Sequence, residues 1–150
     1  MVTGMRWHLT RLRTRGIILA ILMAVALPVL AEPVVIGNLS SSVKSLTLDE
    51  VRALYLGQTR TLRDAGSVDL ADRQSDSAIF REFYEKVTEK DSRQIKALWA
   101  KLGFMGKAKP PKVFDSDEDI KAWIKKHPNA IGYIEKSSLD KSVNVLLVID

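Results

Sequence analysis

The sequence predicts an α/β fold: a mostly parallel central sheet flanked by helices. Short β-branched runs alternate along the chain with segments whose apolar residues recur every three to four positions, and capping residues or glycines mark their boundaries. Size agrees, because setting aside residues 1–31 of the 150-residue chain leaves 119, enough for one domain with its own core.

Residues 1–31 read as a signal peptide. Arg6, Arg11, Arg13 and Arg15 form a basic start without an acidic residue, Ile17 to Leu27 is almost wholly aliphatic, and Val29-Leu30-Ala31 supplies small residues at cleavage positions. About 15 apolar residues interrupted by Pro28 fall short of the roughly 20 that span a bilayer. The remaining domain, 32–150, is therefore expected outside the cytoplasm, in the periplasm.

Pro33 to Asn38 is a β-branched run closed by turn formers and predicts the first strand. Thr47 and Glu50 have capping-box spacing, and Leu48, Val51, Leu54 and Tyr55 recur at helical spacing until Gly57, which defines the first helix. Arg60 to Ser67 reads as a polar connection, and Val68 to Asp72 as a second strand. Ile79, Phe83 and Val87, widened by Phe80 and Tyr84, predict a helix over 77–88. Asp91 with Gln94 opens another, whose Ile95, Leu98, Trp99 and Leu102 share a face that should be core and should end before Gly103. Ser116 with Asp119 opens a last helix with a core face at Ile120, Trp123 and Ile124, stopped at His127-Pro128. Ala130 to Ile134 and Val143 to Ile149 are the closing strands; Gly106 to Lys112 and Glu135 to Ser142 read as loops.

Composition narrows the chemistry. The whole chain has 23 basic and 18 acidic residues, but four of the basic ones lie in the leader, so 32–150 carries nineteen against eighteen, a net of +1. That balance gives no sign of a nucleic-acid binder. The absence of cysteine removes disulfides and thiolate metal sites, and His127 is the single histidine after the leader, which disfavours Ser-His or Cys-His catalysis and multi-histidine metal sites. No enzyme activity, cofactor or metal is expected. The acids Asp115, Asp117, Glu118 and Asp119 read as a charged first helical turn.

The candidate site is an anion site. In an α/β sheet, ligands gather at the carboxyl ends of strands, where helix starts present free N–H groups. The stretch DRQSDSAIFREFY, 72–84, lies at such a place: Arg73 offers a planar fork for phosphate or carboxylate, Ser75 and Ser77 offer hydroxyls, and the helix start adds partial positive charge. The simpler account is that Asp76 or Ser77 caps the helix and Arg73 is solvated; the two roles are compatible. Ser40, Ser41 and Ser42, following the first strand beside Asn38, are expected to face the same crevice. The basic loop Gly106 to Lys112 is a third candidate, able to steer an anion.

Four segments in order, SLTLDEVRALYLGQTRTL, DRQSDSAIFREFY, ALWAKLGFMGKAKPPK and PNAIGYIE, give the chain a resemblance. They resemble one lobe of the phosphate-binding proteins of ABC importers, which are type 2 periplasmic binding proteins, and still more the short single-lobe proteins described as phosphate ABC transporter substrate-binding proteins. Together they span nearly all of 34–148. The resemblance implies a single lobe of that fold, a non-enzymatic role linked to phosphate transport, and phosphate or a similar oxyanion as ligand. Arg73 matches the family's phosphate-binding arginine and Ser77 its loop serine, in the pattern Arg-x-Asp-Gly-Ser-Gly-Thr. Ser75 stands where the family has aspartate, Asp76 where it has glycine, and Ala78-Ile79 replace Gly-Thr. One lobe leaves the anion hydrated, where contact attraction is about 1 kcal/mol, so binding should be weak unless a second lobe or a membrane protein completes the cleft. The alternative is an extracytoplasmic interaction module that keeps the fold without the ligand and partners a sensor, porin or transporter.

Overall fold

The computed structural model describes residues 30–150; of the expected leader, residues 1–29 lie outside them, and its last residue, Ala31, is buried against the core. The chain runs β1 (Pro33–Gly37), α1 (Leu48–Tyr55), β2 (Thr61–Leu62), β3 (Gly66–Ser67), β4 (Asp69–Arg73), α2 (Ala78–Thr88), α3 (Ser92–Phe104), β5 (Lys112–Phe114), α4 (Asp117–Lys126), β6 (Ala130–Glu135) and β7 (Asn144–Val148). Five strands form one sheet in the order β5-β4-β6-β1-β7. β4 pairs in parallel with both β5 and β6, whereas β1 is antiparallel to β6 and to β7. Four of the five strands therefore share one direction, and β1 alone opposes them.

Alternation along the strands sorts the core into two layers. Val35, Ile131, Tyr133 and Leu146 face α1, α2 and α3, while Val34, Ile36, Ala71 and Ile134 face α4. The first layer is aromatic: Phe83 stacks on Tyr133 with ring centroids 3.7 Å apart and meets Tyr55 edge-on at 4.8 Å. In the second, Gly132 permits close approach of α4. A Cβ there would lie 2.9 Å from Ile120 Cγ2 and 3.0 Å from the Ala71 methyl.

Local signals hold at the helix starts. Thr47 and Asp91 form reciprocal capping boxes with Glu50 and Gln94, and Ser77 and Ser116 each accept a helix N–H on their hydroxyl. Four expectations need correction. The connection 60–67 contains the β2–β3 hairpin, and a short strand that the sequence does not announce, β5, begins at Lys112, the last residue of the expected loop 106–112. α3 passes through Gly103, because its left-handed terminating glycine is Gly106, at φ 65°. Leu98 and Leu102 are only half-buried, as is Trp123, which packs on Phe114 and His127 beside the sheet edge.

Candidate functional site

Arg73 closes β4, and its register opposite Phe114 brings the residues after β5 beside it. One Arg73 amino group pairs with the Asp117 carboxylate, and the other donates to the Asp115 carbonyl at 3.0 Å. The second Asp117 oxygen accepts the Glu135 amide at 3.1 Å and the Ser138 hydroxyl at 2.8 Å. A guanidinium, a backbone N–H and a hydroxyl thus converge on one carboxylate, the donor set that an oxyanion requires. Only 14% of the Arg73 side chain and 11% of that of Asp117 are exposed, so this pair is largely withdrawn from solvent.

An open cavity of about 380 Å³ adjoins the pair, lined by Arg73, Ser77, Ser116, Asp117, Glu118, Glu135 and Ser138 among others. Acidic groups outnumber basic ones on its walls. Burial raises the Glu135 pKa, and neighbouring Asp117 adds to the effect, while the Glu32 amide and Arg73 oppose it. Behind the wall, buried Lys121 donates to Glu118 and Asp140, each at 2.7 Å, and to the Ser138 carbonyl at 2.9 Å. Hydrogen bonds from Lys121 to these carboxylates raise its pKa, and its bond to the Ser138 carbonyl ties that residue to α4.

Ser77 is the α2 cap: its hydroxyl accepts the Phe80 amide and donates to the Gln74 carbonyl at 2.6 Å, while its residue also lines the cavity. Ser75 is half-buried, and its carbonyl accepts the Ser92 hydroxyl at 3.2 Å. It is not among the cavity-lining residues. Ser40, Ser41 and Ser42 lie at the other end of the sheet, which corrects the expectation of a shared crevice. Because β1 opposes β4 and β6, its exit at Gly37 sits opposite Ile131, near the start of β6. There the Ser40 amide donates to Asn38 Oδ1, Ser41 Oγ accepts the Val43 amide and Ser42 Oγ donates to the Asp64 carbonyl. These contacts build a turn. The basic loop 106–112 also leads into the starting side of β5, away from Arg73.

Asp117, Glu135 and Ser138 were missed as a unit. Asp117 does occupy the first turn of α4, as read, but its partner Arg73 is 44 residues away and adjacent only through β5. Asp72 was missed too. Its buried carboxylate accepts hydrogen bonds from the Tyr133 and Tyr84 hydroxyls and the Arg73 amide.

Burial pushes the Asp72 pKa from 3.8 up to about 6, the three hydrogen bonds opposing. Between those values the folded state holds a proton that the unfolded chain releases, so stability should fall as pH rises from about 4 to 6 and then level off. The loss should be on the order of 2–3 kcal/mol. Asp72→Asn should remove that part of the slope in denaturation midpoints at pH 4.5 and 7, taken at roughly constant ionic strength. Equal slopes in both proteins would contradict a buried, titrating Asp72.

No family model and no curated protein matches the sequence. Solved structures do. A putative phosphate ABC transporter substrate-binding protein with bound phosphate from Clostridium perfringens is 22% identical with a TM-score of 0.61, over 77% of this chain and 44% of that one. An ABC-type phosphate transport receptor from Vibrio cholerae is 19% identical with a TM-score of 0.60, over 77% and 45%. PstS from Borrelia burgdorferi is 15% identical with a TM-score of 0.57, over 77% and 46%. The chain thus has the fold of a single lobe of a phosphate-type substrate-binding protein and spans less than half the length of these structures.

Proposed function

We propose that this protein is an extracytoplasmic solute-binding-like lobe that recognises phosphate or a similar oxyanion without covalent chemistry, as part of ABC-type phosphate uptake. One observation carries the reading: Arg73, the Glu135 amide and the Ser138 hydroxyl already converge on an oxyanion group, the Asp117 carboxylate. Ser77 and the start of α2 stand on the same cavity wall. Ser75 and Ser40 to Ser42 remain outside this donor set. A second lobe or a membrane-protein partner would close the open side and exclude water.

Calorimetric titration with phosphate, sulfate and acetate tests the reading. Phosphate should bind with a Kd in the high micromolar range or weaker, about −4 to −5 kcal/mol, because the site stays hydrated and Asp117 competes. Added salt should weaken binding, and Arg73→Ala should abolish most of it. The acidic wall of Asp117, Glu118 and Glu135 favours a second reading, an interaction module whose internal carboxylate has replaced the ligand. No heat with any of the three anions at millimolar concentration would select it.

Export through residues 1–31 belongs to the same proposal. Cleavage after Ala31 would place the new Glu32 ammonium where its amide now donates to Glu135 Oε2 at 3.3 Å. Intact mass of the exported protein should correspond to the 119 residues 32–150. A full-length species held in the inner membrane would contradict it.

A further inference from the structure

The end of α3 exposes what a folded domain normally buries. Phe104 is 95% exposed and the adjacent Met105 48%. Fraying does not account for this, because the turn is closed by hydrogen bonds from the Lys107 amide to the Leu102 carbonyl at 2.9 Å and from the Gly106 amide to the Gly103 carbonyl at 3.1 Å. Gly106 at φ 65° completes that terminating motif. Behind the tip, Trp99 and Ala108 are anchored in the core. The two apolar side chains are therefore held out in water by a braced turn.

Charge is segregated around them. Ser92 to Phe114 contains six basic residues and no acidic one, whereas the rest of 32–150 has thirteen basic and eighteen acidic. Lys96, Lys101, Lys107, Lys109 and Lys112 are exposed and make no ion pair among the described residues. α3 begins beside Ser75 and passes Trp99 alongside Val68 and Asp69, so the tip points to the starting end of the parallel strands. The Arg73 cavity is at the other end.

We propose that this tip docks the protein on an anionic phospholipid surface. Phe104 and Met105 enter the interface between headgroups and acyl chains, and Lys101, Lys107 and Lys109 meet lipid phosphates. Each half of the feature answers one half of the surface: a convex aromatic and thioether apex suits a deformable apolar layer, and unpaired lysines suit its negative charge. Docking there leaves the Arg73 end facing away from the membrane, accessible to solute and to a second lobe, so that of the two ways of closing the site it is compatible with the lobe and not with a partner embedded in the same bilayer.

The chain contains no cysteine, so Met105→Cys can carry an environment-sensitive fluorophore, with Ser137→Cys at the opposite end as control. The full chain would be mixed with vesicles of phosphatidylcholine alone or with about 30% phosphatidylglycerol. The label at 105 should shift to the blue only with the anionic vesicles, and the label at 137 should not. In sedimentation with the same vesicles, Phe104→Ser and the pair Lys101→Gln with Lys107→Gln should each weaken binding about fivefold or more, and salt should reduce it. Circular dichroism would confirm that these exposed variants fold. No shift at 105, equal shifts at both positions, or vesicle binding indifferent to Phe104→Ser, as contact through the leader would be, overturns the proposal. A shift that depends on protein concentration without vesicles would assign the tip to a second copy instead, and a shift only with a soluble acidic protein would assign it to that partner.

Discussion

Phe83→Ala is expected to cost about 3–5 kcal/mol of stability, the range for truncating a buried aromatic side chain. Phe83 is fully buried, stacks on Tyr133 and meets Tyr55 edge-on, so its removal opens a void between α2 and the centre of the sheet. It also unseats Tyr133, whose hydroxyl supports Asp72. Phe83→Leu, which fills most of the space, should lose less, about 1–1.5 kcal/mol. Urea denaturation reads both: the midpoint should fall with little change in the slope. A loss below about 1 kcal/mol for the alanine variant would mean that α2 does not cover the sheet through this face.

Asp117→Ala should be the most damaging change outside the core and should also alter the ligand site. It leaves the largely buried Arg73 guanidinium without its carboxylate and removes the acceptor of the Glu135 amide and Ser138 hydroxyl. A loss of about 2–4 kcal/mol follows, somewhat below that for a fully buried pair because both side chains keep some solvent contact. An external oxyanion should recover part of it: millimolar phosphate should raise the midpoint of the variant more than that of the native protein. Asp117→Asn keeps the shape and an acceptor oxygen but removes the competing charge, and should tighten phosphate binding about tenfold. Equal or weaker phosphate binding by Asp117→Asn would mean that Asp117 is a structural partner of Arg73 and does not occupy a ligand's place.

The helices were legible in the sequence because their signals are local. Thr47 with Glu50 and Asp91 with Gln94 sit three residues apart, and the stripes Ile79-Phe83-Val87 and Ile120-Ile124 repeat within single helices. Strands long enough to be buried on both faces, such as β1 and β6, were legible for the same reason. β5 was not: it has three residues, lies at the sheet edge, and its Val113 is 51% exposed, so no run of apolar residues announces it. Strand direction was also hidden, since β1 looks alike in either orientation and only its pairing with β6 sends Ser40 to Ser42 away from Arg73. The site inherits both gaps. Arg73 and Ser77 could be read from one loop, whereas Asp117, Glu135 and Ser138 reach it only through the β4–β5 and β4–β6 pairings. Asp72, inside the same motif, gave no signal of burial because a strand-terminal aspartate is ordinarily solvated.

The central claim is that the carboxyl end of β4 is an oxyanion site whose donors are Arg73, the start of α2, and the β6 exit at Glu135 to Ser138. Phosphate titration followed through the backbone amide signals of the isotope-labelled protein tests it most directly. The account predicts saturable, salt-sensitive shifts confined to residues 73–80, 115–118 and 135–138, absent in Arg73→Ala and stronger in Asp117→Asn, with residues 40–42 unmoved. Signals at 73–80 and 135–138 that stay fixed in millimolar phosphate, in both the native protein and Asp117→Asn, would contradict it.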